Sequence, residues 1–200
     1  MKVSVLFSGG KDSGLSTIIM EPFFPEMEMV TFTFGVDDAW KVAERAAEAL
    51  GHPHRTIRFP REVLETGLEM LHSQGYPNDA LNYVHSFAVE SLAKESDYVV
   101  DGTRRDDRAP IMSPGAVRSL EDRFHMNYIR PLAGWGWKTI NEMASRHMEF
   151  EVCPSDKYPA ADFEVGLRYA LANQYGESDV DRIFPSKHTH SRVVRRKRVE

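Results

Sequence analysis

The segment 8–14, Ser-Gly-Gly-Lys-Asp-Ser-Gly, holds the residues whose chemistry is most readily interpreted. Glycine lets the backbone approach a ligand closely, and hydroxyl, ammonium and backbone N–H groups all donate hydrogen bonds to phosphate oxygens. The carboxylate of Asp12 is a hard oxygen ligand of the kind that Mg²⁺ prefers. The segment therefore predicts a phosphate site with an adjacent metal ligand. Its predicted members are Ser8, Gly9, Gly10, Lys11, Asp12 and Ser13.

The flanking residues predict that this segment connects a strand to a helix. The apolar run 3–7 is typical of a buried strand, and 15–20 is typical of the first turns of a helix. The N–H groups and positive dipole end of a helix N-terminus favour a bound phosphate. The segment is not the common nucleotide-binding loop, because no Lys-Ser or Lys-Thr pair follows Gly14. It also lacks the third glycine of the dinucleotide fingerprint.

The string SGGKDS on a strand-to-helix turn resembles the PP-loop of the N-type ATP pyrophosphatases. In that superfamily the loop holds the β- and γ-phosphates while ATP is cleaved between its α- and β-phosphates. Members include tRNA-modifying enzymes, GMP and asparagine synthetases, and diphthine–ammonia ligase. The resemblance implies ATP and Mg²⁺ as cofactors, a catalytic role for Lys11 and Asp12, and a Rossmann-like fold of the adenine nucleotide alpha hydrolase type.

A second polar segment, 101–108, follows the predicted fourth strand. Because ligands of parallel sheets bind beyond the carboxyl ends of the strands, we expect it to meet the loop at 8–13. Asp12, together with Asp106 or Asp107, is then predicted to hold Mg²⁺. Gly102 and the Asp106-Asp107 pair also resemble a motif of tRNA-modifying PP-loop enzymes, in which a histidine is common where this chain has Thr103. The resemblance implies that Gly102 and Thr103 contact the nucleotide.

Two further segments are interpreted through the same resemblance. The turn Ile-Arg-Pro-Leu at 129–132 resembles an RPL element that precedes a helix in the tRNA-modifying enzymes, which implies that Arg130 lies near the nucleotide or the acceptor and has a catalytic role. Adenine in the superfamily lies against the end of the second strand. The residues implied are Thr33, Phe34 and Gly35, with Asp37 available for the ribose, although Thr33 and Phe34 are equally suited to a core.

The alternation of strand-like and helical segments predicts an α/β fold: an open parallel five-stranded sheet with helices on both faces. The predicted strands are 3–7, 29–36, 55–59, 97–101 and 128–132. The main predicted helices are 37–50, 61–71, 78–94, 137–147 and 162–175. We predict an ATP-binding domain over 1–150 and a short helical extension over 151–200 that ends in a basic tail.

Composition limits the partners and the compartment. The formal net charge is −5, yet 182–200 contains seven Lys or Arg and one acid, which suits either a phosphate-rich partner or a solubilising terminus. The predicted tRNA contacts are the basic residues of 104–108 and this tail. The one cysteine, Cys153, excludes an internal disulfide and suits either a persulfide carrier or an inert thiol. No run is long enough for a membrane span, so we expect a cytoplasmic protein, and a homodimer is compatible with the sequence.

Three functions fit these residues. The first is an enzyme that cleaves ATP to AMP and pyrophosphate and adenylates an acceptor, a tRNA base, for attack by a nitrogen or sulfur nucleophile. The second is an ATP-dependent amide ligase acting on a small acid or a modified residue. The third is a non-catalytic sensor or adaptor that binds an adenine nucleotide. Acceptor-dependent pyrophosphate release distinguishes among them.

Overall fold

The computed structural model describes residues 1–154, 161–184 and 189–197. The strands are β1 (Val3–Leu6), β2 (Glu28–Thr33), β3 (His54–Arg58), β4 (Tyr98–Val100), β5 (Asn127–Ile129), β6 (Met148–Pro154) and β7 (Thr189–Arg196). The helices are α1 (Lys11–Met20), α2 (Trp40–Leu50), α3 (Arg61–Gln74), α4 (Asn78–Ala93), α5 (Pro114–Phe124), α6 (Trp137–His147), α7 (Phe163–Tyr175) and α8 (Glu177–Ile183). Of the described helices, none combines the length and the apolar character that crossing a membrane requires.

The central sheet confirms the predicted fold class. It has five strands in the order β3-β2-β1-β4-β5, and every neighbouring pair is parallel. All four residues of β1 are buried, as expected for a strand covered on both faces. The strand order reverses between β1 and β4, which creates the crevice where α/β sheets of this Rossmann-like kind bind ligands.

Helices cover both faces of the sheet because each face presents its own set of apolar side chains. On one face α3, α4, α5, α7 and α8 pack on a core that includes Phe32, Leu92 and Leu167. On the other face α1, α2, α6 and β7 enclose a second core around Leu15 and Ile140. The loop after β1 emerges between these two layers, so both contribute to its surroundings.

The C-terminal region differs from the predicted helical extension with a basic tail. It contains α7 and α8, but residues 189–196 form β7, which pairs antiparallel with β6. Strand β6 spans residue 150, and the division of the chain there stays a prediction. Three cations of β7 form ion pairs: Arg192 with Glu151, Arg195 with Glu149 and Arg196 with Glu21. Much of the basic charge of the tail therefore serves contacts within the chain.

Candidate functional site

The loop 8–13 and the segment after β4 lie on either side of the strand-order reversal and line one cavity of about 530 Å³. Residues from β2, α4, α6, β6, α7 and β7 also contribute to its wall. This volume lies in the range of small-molecule and cofactor sites, roughly 300–1,000 Å³. The structure thus brings the two predicted phosphate and metal segments together, at the position expected from the parallel sheet.

Two glycines allow close backbone packing around the loop, Gly9 against α2 and Gly102 against the start of α1. Gly9 has φ of +75°, and a Cβ there would lie 2.8 Å from Cα of Ala43. A Cβ on Gly102 would lie 2.8 Å from the backbone nitrogen of Ser13. Real Cβ atoms do not approach backbone so closely, so a side chain at Gly102 would displace the N-terminus of α1.

Lys11 is the cation closest to the loop backbone, and it is buried. Its ammonium donates a hydrogen bond of 2.6 Å to the Asp12 carboxylate. Its backbone N–H points to the hydroxyl of Ser191 on β7, which accepts at 3.0 Å. The first N–H of α1, a group suited to a phosphate oxygen, therefore has a side-chain partner supplied by the C-terminal strand.

Arg104 lies among the three carboxylates that were predicted to bind Mg²⁺. It hydrogen-bonds Asp107 through its side chain at 2.9 Å, and its Nε lies 3.8 Å from Asp12 and 3.7 Å from Asp106. Burial lowers the pKa of the Arg104 guanidinium, but the hydrogen bond to Asp107 and the charges of these carboxylates together raise that pKa above its ordinary value. Asp106 also accepts a hydrogen bond of 2.9 Å from the backbone N–H of Trp137, which lowers its pKa.

This arrangement does not fit a metal held by protein ligands. Within 1–154, 161–184 and 189–197, no group of three or more His, Cys, Asp or Glu side chains is placed to hold a metal ion. The guanidinium of Arg104 supplies the positive charge around which Asp12, Asp106 and Asp107 gather. The assignment of these three residues as Mg²⁺ ligands stays a prediction.

A buried polar cluster in the wall of the cavity was not predicted from the sequence. His85 of α4 lies 3.1 Å from the carboxylate of Asp101, and the Tyr128 hydroxyl donates a hydrogen bond to the same carboxylate. Thr103 donates to it through both its backbone N–H, at 3.0 Å, and its hydroxyl, at 3.1 Å. His85, Asp101 and Thr103 all line the cavity. At helical spacing with apolar neighbours, His85 carries no sequence signal that separates it from core residues.

The electrostatics of this cluster keep Asp101 ionised. Burial would raise the pKa of Asp101, but the adjacent His85 and the hydrogen bonds from His85, Tyr128 and Thr103 hold that pKa below its ordinary value. Burial, and then the Asp101 charge, raise the pKa of Tyr128 well above its ordinary value, so its hydroxyl remains a donor. The cluster therefore fixes the end of β4 through a buried carboxylate.

We expect Asp101→Asn to reduce the free energy of unfolding at neutral pH by about 3–5 kcal/mol, because it leaves buried partners of the charge unsatisfied. The folded-state pKa of Asp101 is lowered, so its stabilisation is complete above the unfolded value of about 3.9 and is lost as the pH falls through the folded value. Urea unfolding as a function of pH should show the two proteins converging in acid. A difference that stays constant with pH would contradict the role given to the charge.

The predicted adenine and ribose residues are not among the described residues that line the main cavity. Thr33, Phe34 and Asp37 line a separate cavity of about 20 Å³. Phe34 is buried and stacks on Phe59, and Asp37 accepts a hydrogen bond of 2.9 Å from Ala39 N–H at the start of α2. At Gly35, with φ of +71°, an added Cβ would meet the Arg58 side chain. The assignment of these four residues to the adenine and the ribose stays a prediction.

Two other residues singled out in the sequence are Arg130 and Cys153. Arg130 is partly buried near Tyr128 and is absent from the described wall of the cavity. Cys153 lies in β6, but its side chain is outside the part of the chain that the structure describes, so the two interpretations of this thiol stay predictions. Asn141 of α6, which had no predicted role, lines the cavity with a buried amide oxygen that has no hydrogen-bond partner among the described residues.

Comparison with known proteins places the whole chain in one family. Residues 1–195 match the model of a family of unknown function, DUF7411. The chain belongs to DUF7411. A protein of Methanocaldococcus jannaschii described as uncharacterized, MJ0690, is 40% identical over 194 residues, which cover 97% of this DUF7411 chain and 96% of that protein.

Solved structures extend the comparison to the fold. A crystal structure described as a predicted subunit of tRNA methyltransferase, also from M. jannaschii, has a TM-score of 0.89 and 37% identity and covers 99% of the DUF7411 chain and 98% of its own. The U34-tRNA thiolase NcsA from Methanococcus maripaludis matches more loosely, with a TM-score of 0.42 and 14% identity over 72% of this chain and 64% of its own.

Proposed function

We propose that this DUF7411 protein cleaves ATP to AMP and pyrophosphate and adenylates an acceptor, a tRNA base, for attack by a nitrogen or sulfur nucleophile. The observation that carries the proposal is the SGGKDS loop, which opens α1 at the reversal of strand order and lines a cavity large enough for a nucleotide. The M. jannaschii structure described as a tRNA methyltransferase subunit supports a relation to tRNA.

In this proposal the loop residues bind the polyphosphate. The N–H groups at the start of α1 and the hydroxyls of Ser8 and Ser13 donate hydrogen bonds, and Lys11 neutralises charge on the departing pyrophosphate. The ammonium of Lys11 lies 2.6 Å from Asp12, so a bound phosphate competes with that carboxylate for the same cation. The contribution of the protein is positioning together with charge neutralisation.

Arg104 has the second role in phosphate binding. It lines the cavity beside Lys11, and its position is fixed because its backbone N–H, at 2.7 Å, and its side chain both donate hydrogen bonds to the Asp107 carboxylate. A planar guanidinium suits phosphate oxygens, with which it forms paired hydrogen bonds. Because the three carboxylates face Arg104 rather than a metal position, we assign no step to Mg²⁺.

The contacts between Arg104 and the carboxylates favour a second candidate, a sensor that binds an adenine nucleotide without turnover. Carboxylates that hold an arginine are available for metal-assisted cleavage only after that contact is broken. The sensor and the enzyme share the nucleotide site and differ in whether AMP and pyrophosphate appear.

We expect AMP and pyrophosphate to form from ATP, with release stimulated by total tRNA and strongly reduced in Asp12→Ala, because Asp12 contacts both Lys11 and Arg104 and positions these two cations at the cavity. Chromatography of the nucleotides and a coupled pyrophosphate assay measure the two products. Asp38→Ala is the matched control, because Asp38 is also an aspartate paired with a lysine but lies on the surface at the N-terminus of α2. ATP binding without cleavage under every acceptor tried would favour the sensor, and release of ADP would contradict the proposal.

A further inference from the structure

The mouth of the cavity carries exposed tryptophans. Trp137 is 51% exposed and also lines the cavity, as does Val152, which is 60% exposed. Trp135, two residues earlier, is 38% exposed. Large apolar side chains that are both exposed and adjacent to a polar cavity offer a contact surface for a ligand that reaches into it.

Exposed cations lie in the two segments that carry the cavity wall and the tryptophans. Arg105, Arg108 and Lys138 are exposed, and each is next in sequence to a residue that lines the cavity. Within the described part of the chain none of the three forms a salt bridge, whereas Arg192, Arg195 and Arg196 of β7 each do. The positive charge available to a partner is therefore at the cavity mouth rather than on the C-terminal strand.

Backbone contacts hold the two segments of the mouth together. The N–H of Arg105 donates a hydrogen bond of 3.2 Å to the carbonyl of Trp135, and the Asp106 carboxylate accepts one of 2.9 Å from the N–H of Trp137. The guanidinium of Arg105 donates a longer hydrogen bond, 3.4 Å, to the carbonyl of Gly134. The indoles and the cations are thus presented on one connected surface.

We propose that Trp135, Trp137, Arg105, Arg108 and Lys138 form a rim that binds a single-stranded segment of nucleic acid, with an unstacked base held against an indole. Indole faces stack on bases of any sequence, and exposed arginine and lysine contact the phosphates between them. The rim rests on the proposed function in one respect: the base that reaches the cavity is the acceptor of that reaction. Binding itself requires no ATP.

The rim is tested directly by titrating the protein with single-stranded nucleic acid of about 12 nucleotides in the absence of ATP. Tryptophan fluorescence is the measured signal. The chain has three tryptophans, and the third, Trp40, lines the smaller cavity. We expect the bound strand to quench the tryptophan fluorescence, and we expect this quenching to persist in Trp40→Phe. Affinity measured by anisotropy of a labelled strand should fall about tenfold in Trp137→Ala and much less in Trp137→Phe, which keeps an aromatic face.

Charge is tested with two double variants that remove the same net charge. Arg105→Gln with Lys138→Gln should weaken binding at least tenfold at about 50 mM salt and reduce the dependence of affinity on salt by about one to two ions. The control is Lys41→Gln with Arg195→Gln, two exposed cations that are each paired with an acid. It should bind as the wild type does.

The outcomes identify the ligand of the rim and distinguish this proposal from the proposed enzymatic function. Binding of both RNA and DNA strands, or of RNA alone, supports the rim, and the comparison shows whether the 2′-hydroxyl is read. Tighter binding to a duplex, equal losses in both double variants, or binding only to vesicles of anionic phospholipid would overturn it. Strand binding without ATP cleavage would support the rim and contradict the proposed enzymatic function. ATP cleavage without strand binding would support the enzymatic function and contradict the rim.

Discussion

Lys11→Met is expected to lower the rate of ATP cleavage by about 10²–10³-fold, with ATP binding also weakened. Lys11 is the buried cation of the loop, and its ammonium lies at the N-terminus of α1, where the phosphates are proposed to bind. Methionine keeps much of the apolar stem but removes the charge, and no other group in the loop carries a positive side chain. Nucleotide binding measured by fluorescence and AMP formation measured by chromatography give the two effects separately.

Lys41→Met is the control for this variant. Lys41 is an exposed lysine that pairs with a neighbouring aspartate, Asp38, at 2.6 Å, as Lys11 pairs with Asp12 at the same distance. It lies on the surface of α2, outside the cavity. If the two variants cleaved ATP equally well, the loop would not be the phosphate site, provided that both melt at the same temperature as the wild type.

Gly102→Ala is expected to destabilise the protein by about 1–3 kcal/mol and to lower ATP cleavage by about 100-fold. The added Cβ would lie 2.8 Å from the backbone nitrogen of Ser13 and 2.9 Å from its Cα. Backbone cannot yield as a flexible side chain does, so α1 or the end of β4 must move. A displacement of the loop by a fraction of an ångström misplaces every phosphate donor at once.

Gly134→Ala provides the matched comparison, because a Cβ at Gly134 meets nothing within 4 Å and its φ is not in the left-handed region. Thermal unfolding and ATP binding of the two alanine variants should therefore diverge. Loss of function in Gly102→Ala with an unchanged melting temperature would still support the close approach. Wild-type behaviour in both assays would show that the loop and β4 are less tightly packed than the structure indicates.

The local part of the site could be predicted from the sequence, because it depends on residues that are neighbours in the chain. The apolar run before Ser8 and the helix after Gly10 are read from periodicity, and the edge of a parallel sheet brings the end of β4 to the same place. This reasoning placed Gly102 and Asp107 beside Lys11, and the structure does so too.

What the sequence could not predict depends on pairings between distant residues. Ser191 reaches the N–H of Lys11 only because β7 pairs with β6, and an arginine-rich segment near the C-terminus gives no indication of such a partner. Arg104 was expected among the tRNA contacts of 104–108, but side-chain geometry decides that it also contacts the three aspartates. Phe34 is buried against Phe59, the core position that the sequence offered as the alternative to a place at the adenine, and its adenine role stays a prediction.

The contact between Ser191 and Lys11 has a consequence for biosynthesis. The two residues are 180 positions apart, which corresponds to roughly 9–36 s of translation. The backbone of Gly9 likewise accepts a hydrogen bond of 2.9 Å from Val193 N–H, so both sides of the loop are completed by the last strand. A nascent chain can therefore form its five-stranded sheet on the ribosome while the loop still lacks its final contacts. Nucleotide affinity should be acquired only once β7 has been synthesised and has paired with β6.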